Sequence, residues 1–272
     1  MTTGPIFTGE DWALDMPMSD EQKFIFDLKG WLLIPGVLND AEIATVKEHV
    51  IRLKQDYPDE NYMPGRWEMP SQALFDHPVV AGVLREIVGP DRNESCYGFR
   101  CESSVPRVRS TDFEGLDPHG GSGIGALAYA CRGSKIYSGL TRVVWELNPV
   151  DEGDGGTLLM SGSHKANFDE HASHTVMNSP LFETYSCPPG SVVIFTESLC
   201  HAGPLWTNSE RKRISVFNCY APDIAQYHKT NLTFDVVARM PPKRQTLFRG
   251  VWSSDFSRGR SNNYADAENT AQ

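Results

Sequence analysis

Two of the eight histidines stand in surroundings that suit metal chemistry. His119 lies in the turn-like segment DPHGG at 117–121, and His201 follows the strand-like segment SVVIFTESLC at 191–200. A neutral imidazole is the commonest side-chain ligand of a catalytic transition metal. Taken alone, each of these histidines is more often a structural or surface residue, so the hypothesis depends on the pair.

Two arginines follow His201 at the start of the next apolar run, after the turn-like segment at 202–210. Arg211 and Arg213 are two positions apart, so in a strand their side chains would point to the same face. A guanidinium holds a carboxylate through paired, charge-assisted hydrogen bonds. A histidine after one strand and an arginine opening the next therefore suit a metal with a bidentate ligand, whose far carboxylate the arginine would hold.

The other candidates for metal binding are weaker. His171 and His174 have H-x-x-H spacing but lack the glutamate of a zincin motif. His49 lies off the apolar positions of a predicted helix and is interpreted as a surface residue. The six cysteines form no C-x-x-C pair, so we expect no thiolate zinc site and mostly buried, reduced thiols.

Further residues have two interpretations each. Arg109 and Arg142 are predicted either to meet an anionic substrate or to be solvated at the surface. Tyr129 lies near the glycine-rich segment GGSGIG at 120–125 and could touch a ligand there. His164 is interpreted as a structural residue, unless the family resemblance given below places its Gly-Ser-His segment beside the metal ligands.

Helical patterns dominate the first third of the chain. Ser19 with Gln22, and Asn39 with Glu42, have the spacing of capping boxes. Apolar residues at helical spacing follow both boxes, and a third helix is predicted at about 79–88.

Short β-type runs with turn residues between them begin at about residue 97. The clearest runs, with an earlier one at 31–34, are Thr141–Leu147, Thr157–Met160, Ser191–Thr196 and Arg213–Tyr220. Helices followed by many short strands favour a mainly β fold of the jelly-roll type with N-terminal helices. We predict a single catalytic domain over 1–272, with a mainly helical buttress at 1–95, a β core at 96–222 and a flexible tail at 253–272.

Composition excludes some classes of partner. The net charge of −10 and the pI of about 5.3 argue against a broad nucleic-acid interface and against polybasic attachment to a membrane. The first residues form no signal peptide and no apolar run is long enough to span a bilayer. We therefore predict a cytoplasmic protein whose partner is a small molecule.

Four segments, in this order and spacing, resemble the phytanoyl-CoA dioxygenase-like family of Fe(II)/2-oxoglutarate-dependent oxygenases. They are GWLLIPGVL at 30–38, WELNPVDEGDGGTLLMSGSHK at 145–165, PPGSVVIFTESLCHAG at 188–203 and RKRIS at 211–215. The resemblance implies a double-stranded β-helix, also described as cupin-like, with Fe(II) and 2-oxoglutarate as cofactors and O₂ as co-substrate.

The resemblance also implies roles for individual residues. His119 and His201 match the two histidines of the iron-binding triad. Arg211 best matches the arginine that binds 2-oxoglutarate, with Arg213 as its rival. The carboxylate of the family stands two positions after the first histidine, where this chain has Gly121. The motif is therefore His-x-Gly, which resembles that of the iron/2-oxoglutarate halogenases.

The His-x-Gly motif leaves three interpretations open. Another carboxylate, Asp117 or Glu146, or water could complete the metal site, and the enzyme would then hydroxylate or otherwise oxidise an unactivated C–H bond. Alternatively, Gly121 leaves room for chloride, and the enzyme is a halogenase. In the third interpretation the metal site has decayed and the chain binds a small molecule without catalysis, because a fold alone does not establish chemistry.

Overall fold

The computed structural model describes residues 18–58, 66–68, 71–120, 125–166, 176–228, 232 and 234–251. Gly121, the H-x-x-H segment and the predicted tail at 253–272 lie outside the described residues. Within the described residues, no helix combines the length and hydropathy needed to cross a membrane.

Three helices precede the β core, and their predicted beginnings are confirmed. They are Asp20–Lys29 (α1), Asp40–Asp56 (α2) and Pro78–Ile87 (α3). In the capping boxes, the Ser19 hydroxyl accepts a hydrogen bond from the backbone of Gln22 and the Asn39 side chain accepts one from the backbone of Glu42. Two short helices follow the core, Phe234–Ala238 (α4) and Pro242–Gln245 (α5). Single turns of 3-10 helix occur at Ser71–Phe75, Gly125–Leu127, Ser163–Lys165 and Thr246–Phe248.

The strands form two main antiparallel sheets. In chain order they are Trp31–Ile34 (β1), Phe99–Arg109 (β2), Leu116–His119 (β3), Ala130–Arg132 (β4), Lys135–Tyr137 (β5), Thr141–Glu146 (β6), Leu158–Leu159 (β7), Ser191–Thr196 (β8), His201–Gly203 (β9) and Arg213–Pro222 (β10). The large sheet has the order β1-β8-β6-β10-β2, the small sheet has the order β3-β9-β7, and β4 pairs with β5. The predicted fold, a double-stranded β-helix with N-terminal helices, is confirmed.

The large sheet contributes to two separate cores because successive side chains of a strand point to opposite faces. Leu32 packs in a core with Val50 of α2, on the helical side. The neighbouring Leu33 packs in a second core with Val144 and with Leu159 of the small sheet. The helices thus cover one face of the large sheet, and the small sheet covers part of the other.

Two details differ from, or refine, the sequence interpretation. His49 is buried, with 6% of its surface exposed, and its ring meets Trp67 edge-on with 5.3 Å between centroids. The interpretation of His49 as a surface residue was wrong. His49 lies outside the apolar stripe of α2, but Trp67 covers that part of the helix. All six cysteines are free, as expected, and five are buried while Cys131 is exposed.

Candidate metal and dicarboxylate site

The two candidate histidines lie side by side on neighbouring strands of the small sheet. His119 of β3 and His201 of β9 are direct partners in the antiparallel pairing. Side chains of such partners stand on the same face of a sheet, and the two ring centroids are 4.2 Å apart. The structure therefore brings together two residues that are far apart in the sequence.

Each of the two rings is held by a backbone carbonyl two residues earlier. Nδ1 of His119 is 2.7 Å from the carbonyl oxygen of Asp117, and Nδ1 of His201 is 2.8 Å from that of Leu199. A carbonyl only accepts hydrogen bonds, so both Nδ1 atoms carry a proton, and in the neutral form of each ring the lone pair is then on Nε2. Burial lowers the pKa of His201 to about 4, which keeps its ring neutral. Fixing one ring nitrogen in this way is how proteins prepare a histidine to bind metal through the other.

An open cavity of about 280 Å³ lies beside the histidines, between the two sheets. Both histidines line it, together with Thr157, Phe195 and Phe217. Three arginines of the large sheet also line it, namely Arg107, Arg109 and Arg142. The cavity thus combines a pair of imidazoles with several cations.

Arg213 is fully buried next to the cavity: it does not line it, but it contacts Thr157 and Phe217, which do. Its Nη2 donates hydrogen bonds to Glu146, to the Thr157 hydroxyl at 2.9 Å and to the Tyr185 hydroxyl at 3.0 Å. Burial alone would lower the pKa of Arg213, but the ion pair with Glu146 raises it overall. Nη1 of Arg213 is buried and has no hydrogen-bond partner among the described residues.

Arg109 is a second buried guanidinium next to Arg213. The two are direct partners in the pairing of β2 with β10. Arg109 lies against the rings of Phe113 and Phe217, at 4.0 and 5.7 Å from their centroids. Burial, followed by the charges of Arg213 and Arg107, lowers the pKa of Arg109 to about 9. Within the described residues no carboxylate forms an ion pair with it, so this cation has aromatic neighbours but no counter-ion.

Arg211 lies elsewhere, on the surface beside the large sheet. Its Nη2 contacts Asp151 and Asp154, both at 2.7 Å, and it does not line the cavity. The strand β10 begins only at Arg213, so the alternation that would place Arg211 and Arg213 on one face does not extend to Arg211. Of the two arginines suggested by the sequence, the structure brings only Arg213 close to the cavity.

The two carboxylates suggested as a third metal ligand have other surroundings. Asp117 is exposed and contributes its backbone carbonyl to the His119 ring. Glu146 is fully buried and is held by Arg213 and by the Tyr185 hydroxyl. Among the described residues, no three His, Cys, Asp or Glu side chains are grouped closely enough to enclose an ion unaided.

Glu197, which was not selected from the sequence, is the carboxylate beside the histidines. Its Oε2 is 3.6 Å from Nε2 of His201, and its Oε1 accepts a hydrogen bond from Nε of Arg142. Although burial works in the opposite direction, the ion pair with Arg142 holds the pKa of Glu197 below its usual value. An ionisable residue directly after the apolar run at 191–196, and four positions before His201, was the available signal.

Two further residues weighed in the sequence brace the helical layer. His164 contacts the backbone carbonyl of Asp27 through Nε2 at 3.0 Å. The Tyr129 hydroxyl donates to the carboxylate of the same residue. These contacts tie α1 to the segments around the β core.

Solved structures of similar fold are found, although no family model matches the chain and no curated protein matches its sequence. HygX from Streptomyces hygroscopicus, with nickel and 2-oxoglutarate bound, has a TM-score of 0.65 at 20% identity over 81% of this chain and 94% of that chain. The carbocyclase SnoK from nogalamycin biosynthesis, a non-haem α-ketoglutarate-dependent enzyme, has a TM-score of 0.60 at 16% identity over 89% and 96% of the two chains. The epimerase SnoN, in complex with Fe³⁺, α-ketoglutarate and nogalamycin RO, has a TM-score of 0.55 at 16% identity over 78% and 87%.

Proposed function

We propose that this chain is an Fe(II)/2-oxoglutarate-dependent oxygenase that oxidises an unactivated C–H bond of a small molecule. The observation that carries the proposal is the histidine pair. His119 and His201 are cross-strand partners, and each has its Nδ1 hydrogen bonded to a carbonyl, which leaves two Nε2 lone pairs beside one cavity. Two neutral imidazoles suit a divalent transition metal such as iron.

The buried arginines support 2-oxoglutarate as the second cofactor. Arg109 and Arg213 are neighbouring guanidiniums. Of the two, only Arg213 forms an ion pair with a described carboxylate, that of Glu146. One positive charge is left over, and Nη1 of Arg213 lacks a partner in the described part of the chain. The far carboxylate of 2-oxoglutarate would supply both the missing charge and the missing acceptor. The neighbours HygX, SnoK and SnoN, which are 2-oxoglutarate proteins by their own descriptions, add to this support.

Each part of the cavity then has a task. When bound, Fe(II) and 2-oxoglutarate supply the oxidising power through decarboxylation of the keto acid with O₂. His119 and His201 would hold the metal, and Arg213 with Arg109 would orient the dicarboxylate from the large sheet. The rings of Phe195 and Phe217 line the cavity and exclude water from the reacting atoms.

Halogenation is the second candidate, and the observation that favours it is the glycine at position 121. A glycine two positions after His119 removes an anionic ligand and leaves room for a chloride of equal charge. The two functions differ in one measurable property, because only a halogenase binds chloride at its metal.

The proposal is tested by anaerobic titration of the apo-protein with Fe(II) and 2-oxoglutarate, followed by the weak visible charge-transfer band of the ternary complex. We expect the band in the wild type and its loss in His119→Ala and His201→Ala. His77→Asn is the matched control, because His77 does not line the cavity and asparagine suits its helix-capping position.

The same titration separates the alternatives. A band that shifts on addition of chloride would favour the halogenase. A wild-type protein that gives no band at any iron concentration would overturn the enzyme proposal and leave a small-molecule-binding protein on this fold.

A further inference from the structure

We propose that Glu197 is the third protein ligand of the metal and replaces the carboxylate that position 121 lacks. This inference rests on the proposed function, since it concerns the same metal. The proposed ligand lies in the turn between β8 and β9, four residues before His201, and not two residues after His119.

The position of the carboxylate fits a shared ion. Oε2 of Glu197 is 3.6 Å from Nε2 of His201. With metal–ligand distances of about 2.1 Å, two ligand atoms of one ion lie roughly 3.0 Å apart at a right angle and roughly 3.6 Å apart at 120°. The observed separation is within this range and is too long for a hydrogen bond.

The chemistry of the two facing atoms also points to a cation between them. Nδ1 of His201 carries the proton, because it is hydrogen bonded to the Leu199 carbonyl. In the neutral ring Nε2 presents a lone pair to a carboxylate oxygen of Glu197, 3.6 Å away, and both atoms are then acceptors. Two acceptors that face each other within a buried site are unfavourable unless a positive ion satisfies both.

Arg142 holds the carboxylate in the orientation that a ligand needs. Its Nε donates to Oε1 of Glu197, so only Oε2 is turned toward the histidines. A metal-binding carboxylate commonly has its second oxygen hydrogen bonded in this way. The arrangement gives Glu197 a single donor atom for the metal and fixes which one it is.

The backbone after His119 brings the two parts of the site together. Gly120 has a φ of 121°, and a Cβ there would lie 2.3 Å from the Leu199 carbonyl oxygen and 3.2 Å from that of Glu197. The chain that carries His119 thus runs directly against the turn that carries Glu197. The three side chains are not grouped closely enough to enclose an ion, so the inference requires them to move closer together when a metal binds.

A third protein ligand has a consequence for the reaction. If Glu197 occupies the coordination position left open by Gly121, the two histidines, this carboxylate and bidentate 2-oxoglutarate would fill all positions but one. O₂ requires the remaining position, so none is left for chloride. The inference therefore favours oxygenation over halogenation.

The test uses Co(II) as the probe metal, since its absorption spectrum reports both affinity and the set of ligands. We expect Glu197→Gln to weaken Co(II) binding at least tenfold and to change the spectrum, because loss of groups around a metal typically costs about 10- to 100-fold. Glu197→Ala should behave likewise and regain affinity when formate is added. Glu183→Gln is the matched control, because Glu183 pairs with Lys29 and is not a lining residue of the cavity.

Chloride gives a second readout. Addition of chloride should leave the wild-type spectrum unchanged and should alter that of Glu197→Ala, in which the position is vacant. Circular dichroism checks that both variants are folded, and the formate rescue shows that a lost signal is not misfolding.

The outcomes separate this inference from the proposed function. Equal Co(II) affinity and equal spectra in wild type and Glu197→Gln would overturn the inference while the metal site stands. Weaker binding with an unchanged spectrum would also overturn it and make Glu197 a positioning residue for His201. A wild-type protein that binds no metal would overturn both.

Discussion

Arg109 and Arg213 are direct cross-strand partners in β2 and β10, and both guanidiniums are buried. Like charges placed opposite each other destabilise a sheet. Glu146 neutralises Arg213, whereas Arg109 has two phenylalanine rings against it. The site therefore carries a positive charge whose partner must come from outside the described residues, and an anionic ligand in the cavity would stabilise it.

Replacement of Arg109 is expected to weaken binding of 2-oxoglutarate. A hydrogen bond to a charged group contributes about 1.5–3 kcal/mol, so Arg109→Gln should raise the Kd of 2-oxoglutarate roughly 10- to 150-fold. Anaerobic titration in the presence of Fe(II) measures the change. Arg211→Gln is the control and should alter the Kd less than about twofold, because Arg211 pairs with Asp151 and Asp154 and does not line the cavity. Losses of equal size in the two variants would contradict the assignment.

Replacement of Glu146 is expected to destabilise the fold. Its carboxylate is fully buried against Arg213, and removal of one partner of a buried ion pair costs about 3–5 kcal/mol. Urea unfolding of Glu146→Gln should show a loss of this size in the free energy of unfolding. Arg52→Gln breaks the exposed pair with Glu68 and should cost at most about 1 kcal/mol. A mild effect at Glu146 would mean that the buried pair is not formed.

Gly120 is expected to tolerate no side chain. Its φ is 121°, and the Leu199 carbonyl oxygen lies 2.3 Å from the position that a Cβ would take, so a side chain there combines backbone strain with a clash. Strain alone costs about 1–3 kcal/mol, so Gly120→Ala should lose more than that and should also weaken metal binding. Gly133 has a φ of 56° and nothing within 4 Å of such a Cβ, so Gly133→Ala should cost only about 1 kcal/mol. Thermal unfolding of the two variants, with Co(II) titration, makes the comparison.

Stability is expected to fall as the solution becomes mildly acidic. Burial lowers the pKa of His49 in the folded state, and the pKa in the unfolded chain is about 6.5. Below about pH 6.5 the unfolded state therefore binds more protons than the folded state, so the free energy of unfolding decreases as the pH falls. Burial also lowers the pKa values of His77 and His164, and both residues add to the effect.

Urea unfolding between about pH 7.5 and about pH 5.5 measures this dependence. His49→Gln should reduce the slope of the unfolding free energy against pH. Glu48→Gln is the control on the same helix and should leave the slope unchanged, because Glu48 is exposed beside the buried His49 and its replacement leaves that ring in place. A slope that is the same in wild type and His49→Gln would show that His49 is not the group responsible.

Local features of this protein were predictable from its sequence because they depend on neighbouring residues. The capping boxes at Ser19 and Asn39 fix where α1 and α2 begin through contacts three residues apart. The apolar runs predicted β8 at its observed bounds, Ser191–Thr196, and β10 at its observed beginning, Arg213. The resemblance of four ordered segments then indicated the double-stranded β-helix.

The tertiary structure alone decided which polar side chains of the site contact one another. His119 and His201 were selected from the sequence, but their pairing depends on the register of β3 with β9. Glu197 reaches His201 because the turn after β8 folds back, and Asp117 and Glu146 are engaged elsewhere. None of these contacts follows from sequence spacing.

The choice between Arg211 and Arg213 shows the physical reason most directly. Both have the residue type that binds a carboxylate, and their two-residue spacing is compatible with one strand face. Only the folded chain shows that β10 begins at Arg213, which is thereby buried opposite Arg109, while Arg211 stays at the surface with Asp151. The sequence by itself determined the elements and the types of chemical group, because hydrogen bonding and periodicity are local. Strand register and burial decided which side chain each charged group contacts, because register brings together residues about 100 positions apart, such as Arg109 and Arg213.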